Sequence, residues 1–565
     1  MNPTSTLAEK IASLSLARPK WQVMLPLFLA LVLFYAYCLN AHGVLYSNVM
    51  VQDVIIFLDG IWRVQSGQVP HLDFASGLGL LNFYGPNLFM PLTGSIPKAF
   101  LAYYTVVVFF LTAIAVYLGV TRLRLALAII LLFYVAALAG GPSEFSLDRT
   151  FVSFAMFYNH FGWVAFLLSF LFLQKPVFNY RYLFFIDACL MALLLLFAFY
   201  TKATYFLVIV GLYGLAFAGY PKHFFKLMLV TASLASVVVL AVEYAHPGLH
   251  LAYFLDLYQM KNASAGINLD LASAFNDNAR YLYLVLLIAI LTQRIYVVGN
   301  YSFVRHSIIF IYIVLSSFFL FKNNAQAMGV PGMLGPVIAL ATFHAAIPED
   351  VDRLHWVNTL GILFLIILFV YPELTEKQTS IVRYSREAKK STYDFAVPEG
   401  LRDICFCEGT TYRLQLFIKN NGTINLEEFR DLSVMEAQHP PHVEIYQSEY
   451  MYTVAQGIFA LQDIMKKYGE GPVINFDFSN PFSFVMHIKP PEGDFLWFHQ
   501  NRNITPAFHP RASELFAQAK YVAVPKFPAN VFSRRLLLRL YGNYLDKNYS
   551  EVADSIFWKF YLRND

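Results

Sequence analysis

Charge is scarce in this chain of 565 residues: Asp, Glu, Lys and Arg make up 14% of it, hydrophobic residues make up 58%, and mean hydropathy is +0.51. A balance that far to the apolar side excludes a purely water-soluble enzyme. Cysteine is scarcer still, with four in all. Cys38 and Cys189 fall in apolar runs and read as small buried hydrophobes. Cys405 and Cys407 stand too close on an extended strand for an unstrained bridge, so no disulfide framework is expected, and no further soft ligands stand near them to complete a metal site. There is no basic run, zinc-finger spacing or Walker-type glycine loop, and a net charge of +4 is no polyanion signal, so nucleic acid is not an expected partner. Internal repeats and low-complexity tracts are lacking too.

The charges that are present are unevenly spread. Residues 372–565 hold 22 Lys/Arg and 23 Asp/Glu, about 23% of that stretch, whereas roughly 9% of residues 1–371 are charged. Two media are implied: a multi-span membrane domain over 1–371 and a folded aqueous domain over 372–565. Apolar stretches able to cross a hydrocarbon core of ~30 Å recur eleven times. They lie near 22–41, 99–119, 125–140, 160–174, 182–200, 203–220, 226–243, 281–293, 306–321, 329–347 and 355–371. The first does not read as a cleaved signal peptide, because no small-residue cleavage site follows it.

Positive charge orients the body. With the N-terminus in the cytoplasm, the inner segments carry twelve Lys/Arg in roughly 60 residues and the outer loops seven in roughly 125. An odd number of spans then puts the C-terminal domain outside, beside the long loops 42–98 and 244–280. That domain reads as α/β: a helix from Tyr450 to Tyr468 before a strand at Val473–Phe478, a helical Ala512–Lys520 before a strand at Tyr521–Pro525, and a docking helix from Arg534 to Tyr544. The fold class expected is therefore an α-helical polytopic membrane protein with about 11 transmembrane helices and a C-terminal extracytoplasmic α/β domain.

The first outer loop is the most informative stretch. Within about twenty residues it sets Asp53, Asp59, Arg63, His71 and Asp73 at the outer membrane face, and residues 51–65 have the apolar spacing of an amphipathic helix lying in the interface. Asp53 is positioned to project from its polar side. Asp59 before Gly60 and Asp73 in its loop have simpler readings as turn and loop braces. Lys202 interrupts two apolar runs in Tyr200-Thr-Lys-Ala-Thr204, a costly place for a charge unless it snorkels or is used. Asn159 and His160 stand in Phe157-Tyr-Asn-His-Phe-Gly-Trp163, after an Asp148/Arg149 pair, and Lys322 and Asn324 stand just outside the ninth span.

The acid after the first span, followed by Gly-x-x-Pro-His-x-Asp-Phe from Gly67 to Phe74, resembles bacterial members of the C-type glycosyltransferase superfamily, polytopic enzymes that use polyprenyl-phosphate-linked sugars. Residues Tyr158-Asn159-His160-Phe161-Gly162-Trp163 look like a Tyr-Asn-Arg-x-Gly-Trp motif of some relatives, with His160 in place of Arg. Asp477-Phe-Ser-Asn-Pro-Phe482 and Tyr521-Val-Ala-Val-Pro-Lys526 are similar to their chain ends. The resemblance implies a transferase that moves a sugar from a polyprenyl-phosphate donor to a saccharide, lipid or protein acceptor at the periplasmic face of a bacterial inner membrane. It places Asp53, with Asp73 as second candidate, at the reacting centre as base or metal-facing acid. Arg63, His71, Arg149, Asn159, His160, Lys202, Lys322 and Asn324 are candidates for holding donor phosphate or substrate. No cofactor is required by the sequence; a divalent cation is compatible with it. The rival readings are a transporter or flippase of lipid-linked saccharide, which usually has internal repeats, and a non-catalytic scaffold of envelope assembly.

Overall fold

The computed structural model describes residues 21–142, 152–174, 176, 181–219, 221–264, 311–317, 319–320, 337–338, 355–390, 395–405 and 447–564. These residues are mostly helical. Seven helices match the first seven expected spans: α1 (Trp21–Asn40), α5 (Ile96–Arg122), α6 (Leu125–Gly140), α7 (Phe157–Leu171), α8 (Arg181–Thr201), α9 (Ala203–Gly219) and α10 (Pro221–Ala245). Four stretches among the described residues, Trp21–Asn40, Ile96–Arg122, Tyr182–Thr201 and Phe224–Ala245, are long and apolar enough to cross a membrane, and three shorter apolar helices accompany them. Among the described residues, therefore, seven apolar helices and the first half of one longer helix stand where eleven spans are expected. The expected spans 281–293 and 329–347, and most of 306–321, lie outside the described residues.

Helix α5 is the hub of the bundle, packed by α1, α6 and α7, while α8 packs α7, α9 and α10. At one end Arg122 donates to Asp187 at 2.6 Å, where Tyr117 also donates, and its guanidinium lies over the Phe172 ring. This buried pair joins α5 to α8. The last expected span, 355–371, is the first half of a longer helix, α12 (His355–Lys390), which runs unbroken across the 371/372 boundary. Its second half reaches the opposite end of the bundle, where Tyr384 donates to the carbonyl oxygen of Val44 at 2.8 Å.

The first outer loop and the C-terminal residues form one structure. Strand β1 (Leu45–Tyr46) pairs in parallel with β3 (Ile404–Cys405), and β2 (Phe74–Ala75) pairs in parallel with β5 (Asp494–Phe495). Helix α2 (Val51–Gln65) forms where the apolar spacing predicts it, but protein encloses it: nearly all its residues are buried against α3 (Leu81–Asn87), α5 and α14 (Phe482–Met486). It does not lie open to lipid. A short helix α4 (Met90–Thr93) leads from α3 into α5.

Arg63 makes the tightest link between loop and domain. Its Nη1 and Nη2 grip both carboxylate oxygens of Asp494 at 2.6 and 2.9 Å, its Nε donates to Asp59 at 2.8 Å, and Nη1 also reaches the Pro491 carbonyl. The side chain is fully buried. Two carboxylates share one guanidinium, which leaves one negative charge out of water, and burial pushes Asp59 up to about 6. Trp62 and Gln68 add hydrogen bonds to the carbonyl oxygens of Ile488 and Pro490.

Beyond α13 (Gln447–Tyr468), the α/β unit is a four-stranded sheet in the order β4 (Val473–Asn475), β6 (Tyr521–Pro525), β8 (Trp558–Arg563), β7 (Tyr549–Asp554), with β4 and β6 parallel and the rest antiparallel. The expected docking helix is α16 (Val531–Asn548); it buries Leu536, Leu537, Tyr541 and Leu545 at helical spacing on the sheet. The expected second helix shrinks to a single turn, α15 (Ala512–Leu515). Asp477 accepts backbone N–H bonds from Ala529 and Asn530 and so braces the loop before α16. Contrary to expectation, Cys405 is disulfide-bonded, while Cys38 and Cys189 are free thiols.

One further helix, α11 (Leu249–Ala263), follows α10 across a turn closed by Glu243, which accepts from the Gly248 N–H at 2.6 Å and bonds His250 Nδ1. Its amphipathicity is inverted: Tyr253 and Asp256 are buried, whereas Leu251, Phe254, Leu255 and Tyr258 are exposed. An apolar outer face directly after a span suits the lipid interface.

Arg63→Met strands two buried carboxylates, with an expected cost of about 3–5 kcal/mol, read as lowered thermal stability of the purified protein. Because the Asp59 carboxyl binds its proton more tightly folded than unfolded, its contribution to stability is fully present below about pH 4 and is lost as pH rises through about 6. Asp59→Asn is expected to remove that component of the pH dependence; an unchanged profile would refute the assignment.

Candidate functional site

The first turns of α2 and α7 lie side by side. Asn48, just before α2, exchanges two hydrogen bonds with Val152, its N–H donating to the carbonyl oxygen at 2.9 Å and its Oδ1 accepting at 2.7 Å. Within α2, Phe57 packs its ring on Phe157 at 4.7 Å and Tyr158 at 5.8 Å. Asp53 sits one turn before Phe57, half-buried in the first turn of α2. Each helix starts from a methionine in the left-handed region, Met50 at φ 54° and Met156 at φ 48°. Such backbone costs roughly 1–3 kcal/mol per residue, so surrounding packing must hold both starts in place.

Two lysines converge on the start of α7. Lys202 Nζ donates to Asn159 Oδ1 at 3.0 Å and lies 4.7 Å over the Tyr158 ring. Lys377 Nζ, from α12, is 3.1 Å from His160 Nε2. An ammonium only donates, so His160 accepts at Nε2 and carries its proton at Nδ1. That Nδ1 and the Asn159 Nδ2 are buried and have no hydrogen-bond partner among the described residues. Lys202 occupies the break between α8 and α9, as its interruption of two apolar runs foretold. Gly79 fixes the approach of the first loop to this break: its N–H donates to the Thr201 carbonyl, and a Cβ at Gly79 would lie 2.2 Å from the Tyr200 carbonyl oxygen.

Other candidates part from this cluster. Arg63 is corrected from phosphate ligand to structural clamp: fully buried and held by Asp59 and Asp494, it presents no face to a lipid phosphate. Asp73 braces its loop by accepting from the Val69 N–H at 2.7 Å, in line with the simpler reading of that residue, while still lining a cleft. His71 lines the same cleft, with Nδ1 bonded to Asp256 at 2.8 Å and its ring 4.3 Å from that of Tyr253. Arg149, Lys322 and Asn324 lie outside the described residues. Among the described residues no three His, Cys, Asp or Glu side chains group as a metal site.

Sequence reasoning missed Lys377 and Asp256. The signal for Lys377 was a lysine in an apolar-spaced helix continuing past the last span; for Asp256 it was a lone acid among Leu, Phe and Tyr in the second outer loop. No family model, curated protein or solved structure matches the chain.

His160→Leu removes the acceptor facing a buried ammonium and is expected to cost about 1–3 kcal/mol, whereas His160→Gln, which keeps an acceptor, recovers most of it. Equal losses of thermal stability in the two variants would show that the hydrogen bond to Lys377 contributes nothing.

Proposed function

We propose that this chain is an integral-membrane glycosyltransferase that moves a sugar from a polyprenyl-phosphate-linked donor to an acceptor at the periplasmic face of a bacterial inner membrane. The observation that carries the reading is the convergence of two lysines, Lys202 and Lys377, on the start of α7, where Phe57, one helical turn after Asp53, packs on Phe157 and Tyr158. A lipid-phosphate leaving group needs positive charge and N–H donors that strengthen as its charge develops. The lysines and the unpartnered Asn159 Nδ2 and His160 Nδ1 supply both, and the start of α7 adds its dipole.

The reaction balances without other groups. The acceptor hydroxyl oxygen attacks the anomeric carbon as the carbon–oxygen bond to phosphate breaks; the hydroxyl proton passes to the Asp53 carboxylate, and polyprenyl phosphate departs beside the lysines. A single displacement inverts the anomeric centre. The disulfide at Cys405 supports the periplasmic placement, because such bonds persist in oxidising compartments.

Purified protein given a labelled polyprenyl-phosphate sugar should release free carrier lipid, which a flippase does not. Asp53→Asn is expected to lower the rate about 10²–10⁴-fold, and Lys202→Met or Lys377→Met to raise the donor KM about tenfold or more. Wild-type turnover by Asp53→Asn removes the base. A periplasm-dependent reporter fused after Asp565 should be active; activity of a cytoplasmic reporter instead overturns the orientation.

A further inference from the structure

A cleft of about 420 Å3 opens between the loop 71–75, α11 and the stretch 493–514. We propose that this cleft binds a neutral saccharide chain as the acceptor, with Asp256 and Phe508 as its principal contacts; the identification as acceptor rests on the transferase reading above. Asp256 is anchored through one oxygen only. Its Oδ2 accepts from His71 Nδ1 at 2.8 Å and from the Ser76 N–H at 2.9 Å, while Oδ1 makes no hydrogen bond among the described residues. The residue is 7% exposed and lines the cleft, so a ligand hydroxyl meeting Oδ1 would face a carboxylate largely stripped of water.

Phe508 presents the complementary chemistry. The residue is 42% exposed at the cleft, and among the described residues its ring stacks on no other, leaving an apolar plate for the C–H face of a pyranose. Gln259, one helical turn beyond Asp256, adds an exposed amide that both donates and accepts. Carboxylates, an amide and an open aromatic favour a polyhydroxylated ligand. Arg511 and His509 also line the cleft, but the acids Asp73, Asp256, Asp494 and Glu514 outnumber the one permanent cation and disfavour a polyanion, and so polar a lining disfavours a lipid chain.

Two features separate this cleft from an incidental groove. His71, which holds Asp256, has a left-handed backbone at φ 72°, a strained conformation for a residue other than glycine. Tyr253, beneath the His71 ring, donates to the carbonyl oxygen of Phe199, three residues before Lys202. The cleft floor therefore packs directly on the end of α8 that leads to the lysine cluster, and a chain bound in the cleft can extend a terminal hydroxyl towards the donor.

The test uses the full chain in lipid nanodiscs and saturation-transfer NMR with neutral hexasaccharides of hexose, N-acetylhexosamine and 6-deoxyhexose units. At least one should give a contact signal. Phe508→Ala and Asp256→Asn should each weaken it at least tenfold; Phe508 is exposed, so its variant keeps the fold. Absence of signal from every hexasaccharide, an unchanged signal in both cleft variants, or displacement of a peptide library but no sugar would overturn the proposal. If sugar binds but the labelled donor is never consumed, the cleft stands and the transferase reading fails. If the donor is consumed and neither cleft variant raises the acceptor KM, the reverse holds.

Discussion

One guanidinium holds the outer half of this molecule together. Arg63 joins a helix of the first loop to a strand near the end of the chain, and both carboxylates it binds are buried with it. Removing either partner from such an arrangement leaves a charge without solvent and is strongly destabilising, although the intact group adds little over well-packed apolar residues of the same volume. Because Arg63 fixes α2 against Pro491 and Asp494, it also fixes the helix from which Phe57 packs on the start of α7. The cleft is built directly on this clamp, since Asp494 lines it.

Much of the body was legible in the chain because hydropathy is a local signal. Helices α1 and α5 to α10 follow directly from apolar runs, and Lys202 announced itself by breaking two of them. The helix at 51–65 was legible from spacing, but its surroundings were not, since an amphipathic pattern does not say whether lipid or protein covers the apolar side. The role of Arg63 was illegible for a related reason: Asp494 lies 431 positions away, and nothing near Arg63 distinguishes a clamp from a phosphate ligand. The β7–β8 hairpin, by contrast, had a readable pattern that went unused. Trp558 and Phe560 alternate with Lys559 and Tyr561 at the period of a strand, and the two aromatics are buried.

Polar groups at the outer end of the bundle follow a common rule. Asn159 and His160 each receive a lysine and each retain a donor, while Asp256 receives two donors and retains an acceptor. Half-satisfied polar side chains in a nearly dry setting are costly, and protein interiors seldom keep them without use. The strained backbone at Met50, His71 and Met156 lies beside the same residues. Orphaned polar atoms and strained backbone are independent observations, and here they coincide.

The two short parallel pairings, β1 with β3 and β2 with β5, also set a timetable. Each joins the first loop to residues made more than three hundred positions later, so loop closure is long and neither pairing can form until its later strand has been made. During synthesis the apolar helices can form in order, but α2 must wait with a buried-type surface exposed until residue 494 has been made. A chain that stops short of residue 494 would therefore present an open loop and an unpaired guanidinium where the clamp should be.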